Sequence, residues 1–402
     1  MDDKIYDCVI IGGGMSGISF AYYMRSIGKK VLVIEKDRNT GGQVQSIFSR
    51  QFPAYWREFG AHTCYNSYTR LLSIVKDIDR TDIIQPLGKG SYVSYSGEKI
   101  KKMMADVSFF SLMLNGPKLF FVSKKGKTVK EYFSKIVGKK NYEKVFTYLF
   151  RAVISQNADE YPAELFLKRR KDRYKEFPRK YSFKKGLSQF INSMIEKSNI
   201  EVVKESEVID IKNVNGLFET VTLEGQNYYS HNVAIATDPQ TASRLLIDIE
   251  EPLSDLLASV PLFHTESLNV IVPKDKLITQ AVAGIIPISD EFHSAVSRDL
   301  VEDEKLRSFT FHFEKGEKNE EEKFAIICKV LNISRSDILE HKMIRHILPS
   351  LHMEHLDMAG QVEKARKSDN LYILGNYFHG LSLEDCVHRA GDEFKRFKNQ
   401  GG

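Results

Sequence analysis

The first forty residues alternate between short apolar runs and glycine-rich or charged stretches. Residues 5–11 (IYDCVII) form a nearly continuous apolar run, which predicts a buried parallel strand. A glycine-rich turn follows, then a helix from Ser16 to Ser26 and a second strand over residues 31–34, which ends at Glu35. A strand that leads through glycines directly into a helix predicts the first βαβ unit of an α/β domain.

The glycines of this turn are spaced as G-x-G-x-x-G. Gly12 allows the tight turn, Gly14 lets a pyrophosphate approach the backbone, and Gly17 lets the helix pack closely on the strand. The helix start, including Ser16, presents unpaired N–H groups to the phosphates. Glu35 lies 23 residues after Gly12, where its carboxylate can accept both ribose hydroxyls of an adenosine. The sequence therefore predicts a dinucleotide site, and the alternative is a glycine-rich turn in another α/β fold.

A second glycine pair, Gly41-Gly42, follows the acidic residue within a few positions. A nicotinamide dehydrogenase does not need this pair. The pair resembles that of the flavin amine oxidase superfamily, where it lies along the diphosphate and ribityl chain of FAD. The resemblance implies non-covalent FAD, with contacts from Lys36, Gly41, Gly42 and Gln43. The family usually has arginines two residues before the pair and just after it, whereas this chain has Asn39 and Gln43 there.

The carboxy-terminal region, residues 370–391, contains a short apolar strand, a glycine-rich turn and a helix that begins near Leu383. Ser382 and Glu384 are expected to cap that helix, whose amino terminus can face an electron-rich group. The pattern G-N-Y-x-x-G-x-S-x-x-D-C resembles the carboxy-terminal FAD motif of protoporphyrinogen oxidases, whereas amine oxidases proper usually have Gly-Glu at its start. The resemblance implies FAD contacts from Gly375, Asn376, Ser382 and Leu383. Cys386 lies beyond the turn and is expected to pack rather than to link the flavin covalently.

The middle of the chain fits the same family. A helix from Ser188 to Ile195 precedes two short strands, and the resemblance implies that Val208 lies against the adenine. The expected fold class is α/β, with a discontinuous Rossmann-type FAD-binding domain and an inserted α+β substrate domain. The predicted FAD domain comprises residues 1–70, 186–257 and 346–402, and the substrate domain comprises residues 71–185 and 258–345.

Composition and charge narrow the function classes. The chain has 402 residues, of which 42% are hydrophobic and 28% charged, which excludes a disordered or fibrous protein. The net charge is +5, but residues 168–185 alone contribute +8, from ten Lys or Arg and two acidic residues. The chain is therefore not uniformly basic, and no nucleic-acid partner is predicted. This basic strip could steer an anionic substrate, contact an anionic membrane, or be ordinary solvated surface.

Cysteine usage and apolar runs bear on the compartment. Four cysteines without a CxxC pair indicate neither a disulfide scaffold nor a metal site, and a reducing cytoplasm fits best. The chain enters an apolar strand within a few residues of Met1, so no secretory signal is predicted. Residues 103–122 are the most apolar stretch, but polar residues interrupt it, so it lacks the roughly 20 uninterrupted apolar residues that a spanning helix needs. We expect a buried helix pair there; the alternative, given its flanking lysines, is peripheral membrane contact.

The chain has one dinucleotide fingerprint, so an organic substrate is expected to reduce the flavin, and O₂ or another acceptor to reoxidise it. His62 lies in a Gly-Ala-His turn that resembles the turn beside the flavin, and it could titrate near neutrality as a base or orienter. His379, in the carboxy-terminal turn, is a similar candidate. For both, a structural histidine is the alternative. Lys89 lies near the family's carboxylate-binding arginine and is the candidate contact for an anionic small-molecule substrate.

These features predict an FAD-dependent oxidoreductase that resembles protoporphyrinogen oxidase. The alternative is a flavin amine oxidase or desaturase that acts on an amine, an amino acid or a biosynthetic intermediate. A third hypothesis is a non-catalytic flavin protein that docks on a membrane.

Overall fold

The computed structural model describes residues 4–400. In chain order the strands are β1 (Ile5–Ile11), β2 (Val31–Ile34), β3 (Ser46–Phe48), β4 (Trp56–Glu58), β5 (Cys64–Tyr65), β6 (Ile84–Pro86), β7 (Tyr92–Ser96), β8 (Lys99–Lys102), β9 (Lys180–Phe183), β10 (Glu201–Val203), β11 (Val208–Val214), β12 (Leu217–Thr222), β13 (Asn227–Ile235), β14 (Leu262–Pro273), β15 (Gly284–Pro287), β16 (Ser294–Ser297), β17 (Leu306–Glu314), β18 (Glu340–Pro349) and β19 (Leu371–Ile373).

The helices are α1 (Met15–Ser26), α2 (Thr69–Asp77), α3 (Phe109–Asn115), α4 (Val129–Val137), α5 (Lys139–Asn141), α6 (Thr147–Ile154), α7 (Ser188–Lys197), α8 (Pro239–Leu246), α9 (Glu251–Ala258), α10 (Glu320–Leu331), α11 (Met358–Ala365) and α12 (Leu383–Asn399). A π-helical turn (Tyr142–Phe146) joins α5 to α6. Short 3₁₀ turns lie at Thr81–Ile83, Gly116–Phe120, Lys274–Lys276, Arg335–Asp337 and Met353–His355.

The first sheet has the order β10-β2-β1-β13-β12-β11, and β19 also pairs with β13. Strands β10, β2, β1, β13 and β19 run parallel, so their carboxyl ends lie at one edge. The register places Ile235 beside both Ile11 and Ile373. The amino-terminal glycine turn follows β1 and the carboxy-terminal glycine turn follows β19. The two turns therefore begin on either side of β13, at the same edge of the sheet. Ligands of open parallel sheets bind at such an edge.

The second sheet has the order β18-β14-β17-β16-β15-β7-β8. Its strands come from two separate stretches of the chain, residues 92–102 and 262–349. All neighbours are antiparallel except β15 and β7. One face packs against α10 around a core that includes Phe309, Phe311, Phe324 and Ile327. The domain boundaries predicted from the sequence stay a prediction.

The apolar stretch over residues 103–122 differs from the expectation of a buried helix pair. Helix α3 and the 3₁₀ turn after it contain no buried residue. Lys118 and the Asn115-Gly116-Pro117 sequence shorten the helix, so the segment can bury only one narrow side. In the described part of the chain, no helix is long and apolar enough to cross a membrane.

A buried carboxylate fixes α12 to β19. Glu393 accepts hydrogen bonds from Arg366 Nη1 (3.2 Å) and Arg396 Nε (2.8 Å), and it pairs with Arg389 as well. Arg389 Nε also donates to the carbonyl oxygen of Ile373, at 2.9 Å. This network holds the last helix against the strand that carries the carboxy-terminal turn.

We expect Glu393→Gln to destabilise the protein by about 3 kcal/mol, because removing one member of a buried ion network leaves the other charges uncompensated. Urea unfolding measures the loss. Glu363→Gln is the control, since Glu363 also pairs with Arg366 but from an exposed position, and it should change stability by less than about 1 kcal/mol. Equal effects of the two substitutions would contradict the prediction.

Candidate active site

The turn between β1 and α1 depends on two glycines that pack tightly. Gly12 has a φ of +104°, and a Cβ atom there would lie 2.8 Å from the carbonyl oxygen of Ala236. A Cβ atom at Gly17 would overlap the carbonyl oxygen of Gly12. Gly12 therefore serves the tight turn and Gly17 the close approach of α1 to the end of β1.

Gly14 differs from these two because open space surrounds it. An added Cβ atom would meet only Gly42 Cα at 3.9 Å and Gly41 O at 4.0 Å. Gly14 is also the N-cap of α1, which has no side-chain cap and no acidic residue in its first turn. The free N–H groups at this helix start, beside the buried Ser16, can therefore receive an anion.

Glu35 closes the same turn from the end of β2. Its carboxylate accepts the N–H of Gly13 at 2.8 Å and of Asp37 at 2.9 Å, one on each oxygen. Burial raises the pKa of Glu35, although these two hydrogen bonds oppose the rise. Each oxygen keeps a further acceptor position, which a ribose hydroxyl could use. The N–H of Ser206 donates to the Glu35 carbonyl at 3.0 Å, which brings the nearby start of β11 to this end of the site.

The other FAD contacts predicted near the β1–α1 turn differ in their burial and in their hydrogen bonds. Val208 is buried at the start of β11, whereas Lys36 is exposed. Gly41 donates its N–H to the carbonyl of Gly13 at 2.9 Å, so the second glycine pair lies directly over the first turn. Gln43 Oε1 lies 2.8 Å from His346 Nδ1 on β18. The loop is therefore held between the two sheets.

At the carboxy-terminal turn, Gly375 and Asn376 directly follow the β19 region, and Ser382 is the N-cap of α12. The Ser382 hydroxyl accepts the N–H of Asp385 in a capping box, and Arg170 Nη2 bonds both side chains at 2.9 Å. The N–H of Leu383 is among those that helix geometry leaves free. Two members of the basic strip, Lys168 and Arg170, thus pair with Asp385 instead of being wholly solvated.

Glu384 does not cap its own helix, contrary to expectation. Its carboxylate accepts the N–H groups of Arg70 (2.9 Å) and Leu71 (3.1 Å) at the start of α2. The reason is that Ser382 and Asp385 already cap α12. Cys386 is buried and free, and burial raises the pKa of its thiol to about 12.

These features fit FAD. The β1–α1 turn is tightly packed at Gly12 and Gly17. It is open at Gly14, where the diphosphate would lie. The adenosine end would meet Glu35 and the start of β11, and the flavin end would meet the free N–H groups at the start of α12. FAD contacts by individual residues, Ser382 and Leu383 included, stay a prediction.

A small cavity of about 30 Å³ lies at the seam between the glycine-loop region and the second sheet. One wall comes from β4 and the turn after it, and the other comes from β16, β17 and the loop between them. The main lining residues are Trp56, Glu58, His62, Thr63, Leu87, Val296, Arg298, Leu300 and Thr310. Gly60, beside this wall, packs so closely on the neighbouring loop that an added Cβ atom would overlap the carbonyl oxygen of Gln43. The cavity therefore adjoins the proposed flavin loop.

His62 lines this cavity, as expected for a residue that meets substrate, but its titration differs from the prediction. Burial lowers the pKa of His62 to about 4, so the imidazole is neutral at physiological pH. Its Nδ1 lies 2.9 Å from Thr63 Oγ1. A neutral imidazole can accept a proton or orient a substrate group, but it does not switch charge near pH 7.

The sequence did not single out two polar residues of the cavity, Glu58 and Arg298. Glu58 accepts the N–H of Leu187 at 2.7 Å and the hydroxyl of Ser46 at 2.8 Å, and burial raises its pKa to about 7. Arg298 lies over the rings of Tyr55 and Trp56, 4.2 Å and 4.7 Å from their centroids. Its buried Nε has no hydrogen-bond partner among the described residues. Neither residue belongs to a motif whose spacing marks it in the sequence.

Two predicted site residues do not line the cavity. Lys89 is exposed, on the loop that follows Leu87, and its role stays a prediction. His379 bonds Asp392 at 3.0 Å and stacks on His388, and among the described residues these three could surround a metal ion. The guanidinium of Arg70 lies 3.9 Å from Asp392, which disfavours a cation there.

Comparisons with known proteins match parts of the sequence. Residues 10–78 match the family model of an NAD(P)-binding Rossmann-like domain. (S)-6-hydroxynicotine oxidase from Paenarthrobacter nicotinovorans is 39% identical over 56 residues, 14% of this chain and 13% of that protein. The probable flavin-containing monoamine oxidase A from Dictyostelium discoideum is 24% identical over 185 residues, 40% of each chain. The chain thus matches less than half the length of either relative.

The similarity of fold extends over nearly the whole chain. A crystal structure assigned as a protoporphyrinogen oxidase from Exiguobacterium sp. 255-15 superposes with a TM-score of 0.79 at 14% identity, over 98% of each chain. This confirms the predicted fold class, an α/β protein with a Rossmann-type domain, of the kind found in FAD-dependent amine oxidases. At 14% identity this structural similarity shows the fold alone, and the sequence similarity to a flavin-containing monoamine oxidase is limited to 40% of the chain.

The different surroundings of the glycines predict two different defects. Gly14→Ala should leave the stability of FAD-free protein nearly unchanged but weaken FAD binding by about tenfold or more, because its methyl group enters the diphosphate space. Gly17→Ala should cost about 2 kcal/mol of stability, because its methyl group meets backbone. Urea unfolding and fluorescence titration with FAD separate the two effects. Wild-type FAD affinity in Gly14→Ala would rule out this position for the diphosphate.

Glu58 predicts a pH dependence of stability. Burial raises the pKa of Glu58 from 4.5 to about 7, so between these pH values the folded protein holds a proton on Glu58 that the unfolded protein has lost. The free energy of unfolding therefore falls as the pH rises from about 4.5 to about 7. Glu58→Gln removes that cost and should gain stability over wild type by at most about 3 kcal/mol between pH 5 and pH 8. Urea unfolding at both pH values tests this, with the exposed Glu207→Gln as control. If the difference in stability between Glu58→Gln and wild type were the same at pH 5 and pH 8, Glu58 would not titrate between these pH values.

Proposed function

We propose that this protein is an FAD-dependent oxidoreductase that takes hydride from a small organic substrate and passes the electrons to O₂ or another acceptor. The observation that carries the proposal is the pair of glycine turns that follow β1 and β19, on either side of β13, together with the cavity that contains His62. Bound FAD would supply the hydride-accepting ring. The fold is that of flavin-dependent oxidases, and both curated relatives are named as oxidases.

The residues of the chain would bind and orient the substrate. Trp56 and Leu300 supply apolar walls that exclude water, and the neutral His62 can accept a hydrogen bond or a proton. Glu58 is partly protonated near neutrality, so the fixed charge of the cavity is the guanidinium of Arg298. Arg298 has a buried unpaired donor, which supports an anionic substrate.

Two substrate classes remain distinct proposals. The anionic class includes protoporphyrinogen and draws support from Arg298 and from the Gly375-Asn376 resemblance. The second class is an amine, supported by the local similarity to the hydroxynicotine and monoamine oxidases. The Arg298 charge disfavours an ammonium group in the same cavity, so the anionic class is the main proposal.

The proposal includes a compartment and a surface partner. The four cysteines are unpaired, and Cys8, Cys64 and Cys386 are buried, which supports a reducing cytoplasm. We also propose a peripheral membrane contact through the apolar stretch over residues 103–122.

We expect protein loaded with FAD to lose the yellow absorbance of oxidised flavin when mixed anaerobically with protoporphyrinogen. Arg298→Gln should raise the KM for this substrate by roughly tenfold to a hundredfold, with a smaller change in kcat, because it removes a charge-assisted hydrogen bond. Arg298→Lys should recover part of the loss, since the charge is kept and the fork geometry is lost.

The exposed Arg244→Gln is the control for charge alone. Bleaching by members of an amine panel, with none by protoporphyrinogen, would move the assignment to the amine class. Protein that binds FAD but is bleached by neither class would overturn the proposed activity for both.

A further inference from the structure

Helix α3 and the residues that directly follow it expose an unusual number of large apolar side chains. Seven of them, in what we term the exposed apolar segment (residues 109–121), are between 53% and 88% exposed: Phe109, Phe110, Met113, Leu114, Leu119, Phe120 and Phe121. Single exposed apolar residues are ordinary, but a contiguous patch marks a surface that another body covers.

Hydrogen bonds to Asn141 and contacts with the core hold the exposed apolar segment in place. Ser108 caps α3, and its N–H and carbonyl bond the side chain of the buried Asn141 at 2.8 Å and 3.0 Å. Leu112 and Val122 pack against the main core. The segment thus has an inner apolar side that anchors it and an outer apolar side that faces solvent.

Lysines are frequent in the sequence on both sides of the exposed apolar segment. Residues 98–144 contain twelve lysines and four acidic residues, a net charge of +8. Lys118 and Lys125 are exposed on it and beside it. Lys124 Nζ donates to the carbonyl of Phe166 at 2.6 Å and of Leu167 at 3.3 Å, so the segment adjoins the basic strip that begins at Lys168. Lysine-rich sequence therefore flanks the exposed apolar segment on both sides along the chain.

We propose that the exposed apolar segment inserts into the surface of an anionic lipid bilayer while the surrounding lysines contact its headgroups. Exposed apolar side chains flanked by lysines match the acyl chains and the negative charge of such a membrane. A second copy of the chain is a poorer occupant, because a two-fold interface would bring two sets of lysines together. This inference deepens the partner part of the proposed function and does not depend on the flavin chemistry.

The test is co-sedimentation of the full-length protein with phosphatidylcholine vesicles that contain or lack phosphatidylglycerol. We expect binding to the anionic vesicles that weakens as salt is added. The double substitution Phe120→Ser/Phe121→Ser should reduce vesicle binding by roughly tenfold or more. Ile278→Ser, at an 83% exposed position outside the segment, is the matched control and should bind like wild type.

A charge variant, Lys118→Glu/Lys125→Glu, should lose the preference for phosphatidylglycerol. FAD absorbance and urea unfolding confirm that each variant is folded, and a change in flavin reduction bears on the proposed activity alone. Wild-type protein that ignores anionic vesicles, or a Phe120→Ser/Phe121→Ser variant that binds as well as wild type, would overturn the proposal. A wild-type dimer that this double variant converts to monomer would assign the surface to a second copy instead.

Discussion

The position of β13 between β1 and β19 is the constraint on which the rest of the site depends. Parallel hydrogen bonding aligns Ile11, Ile235 and Ile373, so the chain leaves the sheet at neighbouring points although these residues lie far apart in sequence. Both glycine turns are thereby brought to one edge without contacting each other through side chains. The arginine network around Glu393 then fixes the later turn, because it joins α12 to the backbone of β19.

Glu58 couples this edge to the second sheet. Its carboxylate bonds Ser46 and Leu187, while its carbonyl accepts the hydroxyl of Thr310 on β17 at 2.7 Å. A buried carboxyl in this place is costly when ionised, so its protonation state and the net charge of the cavity change together. An anion beside Arg298 would be attracted most strongly while Glu58 is protonated. The residue that joins the sheets therefore also sets the charge of the cavity.

Sequence patterns predicted the elements that have their own local signals. The β1–α1 turn, the end of β2 at Glu35 and the Ser382 start of α12 each combine a periodic apolar run with glycines or a cap. Arg298 and Glu58 could not be found this way, since their role arises from strands that meet only in the fold. The neutral state of His62 also escaped prediction, because a pKa depends on burial that the local sequence does not encode.

The wrong expectation for residues 103–122 shows what apolar composition alone leaves open. An apolar stretch predicts removal from water, but not whether the core or another body provides that environment. Leu112 and Val122 pack against the core. The seven outer side chains would each gain about 1.5–3 kcal/mol on full burial, and no element of the described chain covers them. The flanking lysines distinguish the two cases, since they add nothing to a buried helix pair but are attracted to an anionic membrane.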